Sequence, residues 1–139
     1  MRRANVQRLK TRAQFQATLA GATVAKTAHF ALHRASLPAL QPDTEPLFGT
    51  LDVWLGAMVP KRWARRAVTR NTIKRQVYAV ASLFEAQLPA AAHVVRLRQA
   101  FDRSRFKSAT SEPLKQAVRA EIMQLLKHAG VTPPAGTAR

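Results

Sequence analysis

The sequence has no cysteine and few acidic residues, and both shortages narrow the functions open to it. Without cysteine there are no disulfides, thiolate zinc sites or cysteine nucleophiles. The spacing of the acids indicates neither a carboxylate dyad nor a two-metal cluster. These acids are Asp43, Glu45, Asp52, Glu85, Asp102, Glu112 and Glu121. We therefore expect no enzyme active site made by this chain alone.

Other common signals are missing as well. There is no glycine-rich phosphate loop and no nucleophile elbow. The histidines at 29 and 33 have metal-ligand spacing only on a helix, and their segment has the pattern of a strand. No apolar run approaches the roughly 18 residues that span a bilayer. The first ten residues lack the apolar core of a signal peptide, so we expect a cytoplasmic protein with no membrane partner. Their arginines leave a mitochondrial-type presequence as the weaker alternative.

Positive charge is abundant. The 139 residues include 23 Lys and Arg against 7 Asp and Glu, which gives a formal net charge of +16 and a pI near 11.9. A pI above about 9 is typical of a domain that binds nucleic acid. The length fits one domain. We expect a single RNA-binding domain over residues 1–130 and a flexible C-terminal tail over 131–139, where prolines and a glycine cluster.

Hydrophobic periodicity predicts the order of the elements. Thr11 and Gln14 have the spacing of a capping box that opens a first helix, and apolar alternation predicts strands near 28–32, 47–59 and 93–97, with one more near Val24. Apolar stripes at helical spacing predict a central helix from Ala67 to about Leu88 and a last helix that Ser111 caps. The predicted class is α+β, in the order α-β-β-β-α-β-α, with a small mixed sheet of about four strands and three helices.

The segment from Lys61 to Arg75 concentrates the charge, with cations at 61, 62, 65, 66, 70, 74 and 75 and no acid. On the central helix, Asn71, Lys74, Arg75 and Tyr78 share a sector that adjoins the apolar stripe. No acid lies within four residues of Arg70, Lys74 or Arg75, so the usual helical ion pairing is absent. A charge run held in a fixed shape indicates recognition of a polyanion.

The nine residues Ala67-Val68-Thr69-Arg70-Asn71-Thr72-Ile73-Lys74-Arg75 resemble the signature helix of the protein subunit of bacterial ribonuclease P, in its proteobacterial form. That helix has an Arg-Asn-Arg core followed by a Lys-Arg pair, after a strand that ends in two basic residues, as Lys61 and Arg62 do here. Phe15, Phe30 and the strand-then-helix second half follow the family's order. Thr72 departs from the pattern, because it stands where the family has arginine. The loop over residues 34–50 is also longer than the family leads us to expect.

This resemblance implies a protein that assists a catalytic RNA in removing the 5′ leader from precursor tRNA, with Mg²⁺ acting in the RNA–protein complex and one protein per RNA. It also implies a left-handed βαβ crossover, an exception to the usual hand. The implied contacts to the catalytic RNA are Arg65, Arg66, Arg70, Asn71, Lys74 and Arg75. The implied leader cleft contains Phe15, Phe30, His33, Lys61, Arg62 and Trp63. Asn71 is the candidate for positioning a metal ion.

Three other functions fit some of these features. A general RNA-binding or ribosome-associated protein without a processing role would share the charge. A DNA-binding protein would insert the basic helix in a major groove, but such helices follow another helix and a tight turn, and here a strand precedes. A self-sufficient nuclease is disfavoured by the scattered acids. Replacing Arg70 or Lys74 by alanine is expected to weaken RNA binding with little effect on thermal stability.

Overall fold

The computed structural model describes residues 6–38, 46–101 and 112–131. Its elements are β1 (Val6–Arg8), α1 (Arg12–Leu19), β2 (Ala22–Lys26), β3 (Phe30–Ala35), β4 (Val53–Met58), α2 (Ala67–Leu83), β5 (Ala92–Leu97) and α3 (Glu112–His128). The α+β class and the three helices are confirmed. The sheet has five strands instead of about four, because the sequence analysis missed β1.

The strands lie in the order β1-β4-β5-β3-β2. β4 pairs in parallel with both β1 and β5, and β3 pairs antiparallel with β5 and β2. The unit β4-α2-β5 is therefore a βαβ crossover between adjacent parallel strands. The predicted left hand of this crossover stays a prediction, because strand order and pairing do not decide it.

The sheet is covered on both faces. One apolar cluster joins α2 and α3 to inward residues of the strands, including Phe30, Leu32, Val53 and Leu97. A smaller cluster on the other face holds Leu9, Phe48, Trp54, Ala92 and Val94, with Phe15 and Leu19 of α1 packed against it. Burial of both faces explains why β3, β4 and β5 are almost wholly buried.

One predicted boundary is wrong. α2 ends at Leu83 and not near Leu88, because Phe84 leaves the helical conformation. Phe84 and Leu88 are nevertheless buried. Leu88 N donates to Phe84 O at 3.1 Å, so a helix-like turn follows the end of α2. Val131, the first residue of the predicted tail, is 4% exposed and its N–H donates to Leu126 O.

Several predictions fall on other parts of the chain. The rest of the predicted tail, residues 132–139, and the predicted cap at Ser111 lie outside the described residues, as does the middle of the long loop at 39–45. The end of that loop packs on α1, where Gln14 Nε2 donates to Leu47 O and Phe48 is buried. Among the described residues, no helix has the length and apolarity to cross a membrane.

A polar clamp fastens the β2–β3 turn to α3. Glu121 accepts hydrogen bonds from Thr27 Oγ1, His29 N and His29 Nδ1 at 2.6–2.7 Å. The His29 ring also stacks on Phe101, with centroids 4.0 Å apart. Because charge-assisted bonds of this length are strong, the clamp holds the sheet edge against the last helix.

Candidate RNA interface

An open groove of about 620 Å³ runs between β1 and α2 and gathers most of the polar residues predicted on the central helix. Its lining consists of Arg8, Asn71, Lys74, Arg75, Tyr78, Ala79 and Ser82. The lining contains three cations and an amide but no carboxylate, so its potential is positive. A groove of this composition suits a phosphate backbone; we call it the signature groove.

The helical period produces this surface. Residues Ile73, Val77, Val80 and Ala81 of α2 are buried against the sheet and α3. Asn71 and Arg75 are exposed, and Lys74 and Tyr78 are half-buried beside them. The shared sector predicted for these four residues is therefore the one that faces the signature groove. Arg8 was missed, since it comes from a strand that the sequence pattern did not show.

Arg70 has a different role from its neighbours. It is half-buried, and its Nη1 donates to Ala64 O at 3.1 Å and to Arg65 O at 2.8 Å. These bonds hold the connection between β4 and α2 against the first turn of the helix. These bonds lead us to expect a larger effect of Arg70 on stability than the sequence pattern indicates.

We expect Arg70→Ala to lower the free energy of unfolding by roughly 1–3 kcal/mol, because two carbonyl oxygens lose a charged donor. Urea denaturation of the free protein measures this change. Lys74→Ala is the matched control, since no hydrogen bond is described for Lys74, and its unfolding free energy should stay within about 0.5 kcal/mol of wild type. Equal stability of both variants and the wild type would show that the Arg70 bonds are energetically silent.

Thr72 lies on the buried side of α2. It is 4% exposed, and its hydroxyl donates to Val68 O at 2.9 Å within the helix. The residue that departs from the family pattern is thus placed in the core, away from the signature groove.

The basic connection between β4 and α2 is exposed at four of its cations, Lys61, Arg62, Arg65 and Arg66. Arg66 is the N-cap residue of α2 and makes no side-chain capping bond. The Arg62 guanidinium lies 5.2 Å from the centroid of the Trp63 ring. The connection therefore extends the positive surface beyond the end of the groove.

A second polar surface lies on the α1 face of the sheet, where Phe15 packs over Gly56. His33 of β3 and Arg96 of β5 point to this same face, because they alternate with the buried Leu32 and Val95. Arg96 Nε donates to His33 Nε2 at 3.0 Å. We call the surface formed by Phe15, Gly56, His33 and Arg96 the α1 cleft.

The protonation of His33 follows from its partners. Burial lowers the pKa of His33, and the charges of Arg96 and Lys26 lower it further. The neutral ring accepts from Arg96 at Nε2, so its proton sits on Nδ1 and is donated to Thr23 Oγ1 at 3.2 Å. His33 therefore fixes the direction of the Arg96 side chain, which the sequence analysis missed.

Two residues predicted for the leader cleft do not reach it. Phe30 is fully buried in the cluster beneath α2 and α3, so its assignment as a stacking surface is wrong. Trp63 packs against that same cluster, on the face opposite α1. Lys61 and Arg62 precede Trp63 on the connection into α2. Of the six predicted residues, Phe15 and His33 lie on the α1 face.

The donor set of the signature groove does not fit a magnesium site made by protein alone. Magnesium prefers carboxylate, phosphate and water oxygens, whereas the groove offers one amide, Asn71, among three cations. Within the described residues, no group of three or more His, Asp or Glu side chains is arranged for a metal. The lining of the groove therefore does not supply the oxygen ligands that a protein-bound magnesium ion needs.

Known proteins are similar to this chain in sequence and in fold. The sequence model of the ribonuclease P family matches residues 4–127. The ribonuclease P protein component of Bordetella parapertussis is 35% identical over 115 residues, covering 83% of this chain and 85% of that protein. The component of Burkholderia mallei is 36% identical over 78 residues, 56% of this chain and 57% of that protein.

Solved structures give the same result for the fold. The Staphylococcus aureus RNase P protein has a TM-score of 0.64 with 20% identity, covering 91% of this chain and 98% of that one. Because the family model spans nearly the whole described domain and the Bordetella relative exceeds one third identity across most of both chains, the chain belongs to the ribonuclease P protein family.

Proposed function

We propose that this chain binds a catalytic RNA through the signature groove and the 5′ leader of precursor tRNA through the α1 cleft. The chain belongs to the family of ribonuclease P protein subunits. Ribonuclease P is the ribonucleoprotein endonuclease that processes the 5′ end of tRNA, and the partner of the protein subunit is the ribonuclease P RNA. The observation that carries the proposal is the convergence of Arg8, Asn71, Lys74 and Arg75 in a groove without a carboxylate. A general RNA-binding role is not favoured.

The two surfaces are separated by the sheet. α2 covers one face together with α3, and α1 covers the other. A protein with separate contacts can hold two RNA segments at once, one on each side. Arg96 supplies a cation in the α1 cleft, and the half-buried Phe15 supplies an aromatic ring on which an unpaired base can stack.

The mechanism supported by these contacts is electrostatic and positional. Two polyanions repel each other, and a strongly basic protein between them lowers that repulsion. The protein thus favours binding of the precursor, while the RNA performs the cleavage. Magnesium, held in the RNA–protein complex, supplies the metal chemistry when bound. One protein per RNA and a cytoplasmic location complete the proposal.

We expect the affinity for the catalytic RNA to depend steeply on salt. If about six phosphates are neutralised, the logarithm of affinity falls with the logarithm of salt at a slope of about −4 to −5. Filter binding or fluorescence anisotropy across a KCl series measures this slope. A slope near −1 would mean that the groove and its flanks bind few phosphates, contrary to the proposal.

Reconstitution tests the function itself. The protein is added to its host's own catalytic RNA and precursor tRNA at low magnesium, and release of the 5′ leader is followed. Rescue of cleavage supports the proposed role, and binding without rescue supports a general RNA-binding protein. Cleavage by the protein without RNA would instead reveal a self-sufficient nuclease.

A further inference from the structure

Arg8 is the one cation of the signature groove that α2 does not supply. It is the last residue of β1, and its backbone is fixed by the parallel pairing of Arg8 with Leu55. The next residue strengthens this anchor, because Leu9 N donates to Leu55 O at 2.9 Å and the Leu9 side chain is buried. The base of the Arg8 side chain is therefore held in place beside the helix.

The guanidinium of Arg8 lies over Tyr78. Its central carbon is 4.0 Å from the centroid of the Tyr78 ring, within the range of a cation–π contact. Tyr78 is half-buried and packs against the core cluster of α2 and α3, so the ring itself is fixed. A mobile arginine is thereby restricted by a partner that does not neutralise its charge.

A stacked guanidinium keeps its hydrogen-bonding edge. A guanidinium parallel to the ring at this 4.0 Å separation makes the contact through its flat face, and its N–H donors lie in the plane and point away from that face. The planar fork of donors matches two oxygens of one phosphate. No carboxylate lines the groove, so none of its lining residues neutralises this charged edge, which suits a phosphate.

We propose that Arg8, held flat by Tyr78, binds a phosphate of the catalytic RNA and fixes the path of the RNA backbone between β1 and α2. The inference rests on the proposed function, which it deepens by assigning a residue outside the signature helix. Arg8 touches the RNA in this scheme, and Tyr78 acts as its positioning residue.

The test measures affinity for the host's catalytic RNA across a KCl series with the full chain. The variants are Arg8→Gln, Arg8→Lys, Tyr78→Phe, Tyr78→Leu and the double variant Arg8→Gln/Tyr78→Leu. The matched control is Lys127→Gln, which removes one exposed charge from the last turn of α3. That turn lies near β2, because His128 Nδ1 donates to Lys26 O, and β2 is at the opposite edge of the sheet from β1.

The expected results follow from the geometry. Arg8→Gln makes the salt slope shallower by about 0.7–0.9, the value of one lost phosphate contact, and Lys127→Gln leaves it unchanged. Tyr78→Phe keeps the aromatic ring and so binds more tightly than Tyr78→Leu. Tyr78→Leu binds about two- to fivefold more weakly, the size of an exposed cation–π contact, but only while Arg8 is present. Arg8→Lys keeps the slope and loses affinity, because an ammonium lacks the flat fork.

Three results overturn the inference. The first is that Arg8→Gln has the same affinity and salt slope as Lys127→Gln. The second is that the losses of binding free energy in Arg8→Gln and Tyr78→Leu add in the double variant. Arg8→Lys could also bind as tightly as wild type, which would show that any charge suffices. Thermal unfolding of each variant shows whether it folds. If Arg8→Gln or Tyr78→Leu does not fold, the affinities of Arg8→Lys and Tyr78→Phe relative to wild type decide whether the inference holds. Wild-type protein that binds no catalytic RNA refutes the proposed function itself.

Discussion

Replacing Gly56 by valine is expected to remove most of the leader's contribution to precursor tRNA binding. A side chain on Gly56 would point into the α1 cleft, because a Cβ built there lies 2.5 Å from Phe15 Cε1 and 2.8 Å from Leu9 Cδ1. The Phe15 ring must therefore move off the sheet. A stacked base is worth about 1–3 kcal/mol, so we expect the leader-dependent affinity to fall by roughly 5- to 150-fold.

The measurement compares precursor tRNA with and without its leader, bound by the reconstituted complex. Gly49→Val is the matched control, since a Cβ there meets nothing within 4 Å. Overpacking at Gly56 costs about 1–3 kcal/mol of stability, so unfolding is measured alongside. If a folded Gly56→Val protein keeps the full leader effect, Phe15 does not hold the leader. Because the added side chain also meets Leu9, which anchors Arg8 of the signature groove, binding of the catalytic RNA is measured in the same variant.

Acidification from pH 7 to 4 is expected to destabilise the free protein by on the order of 3 kcal/mol through His93 alone. His93 is 1% exposed, and burial lowers its pKa to about 4, with the Arg34 charge acting in the same direction. Its Nε2 donates to Pro89 O at 3.0 Å, and its Nδ1 accepts from Arg34 Nε at 3.4 Å. The folded protein therefore holds this ring neutral.

Proton uptake by the unfolded chain explains why the free energy of unfolding decreases at acid pH. Below pH 6.5 the unfolded chain protonates His93, whereas the folded chain resists until about pH 4, so the unfolded state binds more protons and stability falls with pH. The lowered pKa of His33 adds to the fall. Urea denaturation at several pH values measures it, with His93→Gln as the control that keeps an amide donor but cannot titrate. An equally steep fall in His93→Gln would assign the acid sensitivity to other groups.

Local signals along the chain predicted much of the fold. The capping box of α1 forms as expected, because Gln14 N donates to Thr11 Oγ1 and Thr11 N donates to Gln14 Oε1, both at 3.1 Å. α2 begins at Ala67, as its apolar stripe indicates. β1 was missed because three residues are too few to show alternation, and its stability comes from pairing with the distant β4.

The candidate site was predictable only where one element creates it. Asn71, Lys74 and Arg75 share a groove because helical spacing places them together. Arg8 joins them through tertiary contact, which no local pattern contains. Phe30 and His33 lie on opposite faces of β3, and alternation along one strand does not show which side of the sheet stays open. With helices on both faces, Phe30 faces the larger core and His33 the α1 cleft.

The two outer strands of the sheet carry a consequence for the protein before it meets RNA. β1 has three residues and ends in Arg8, while β2 has a shift in register near Ala25 and ends in Lys26. Short, irregular and charged edges are poor templates for strand addition by another molecule. Together with a net charge of +16, they protect the newly made chain from aggregation without any help from its partner.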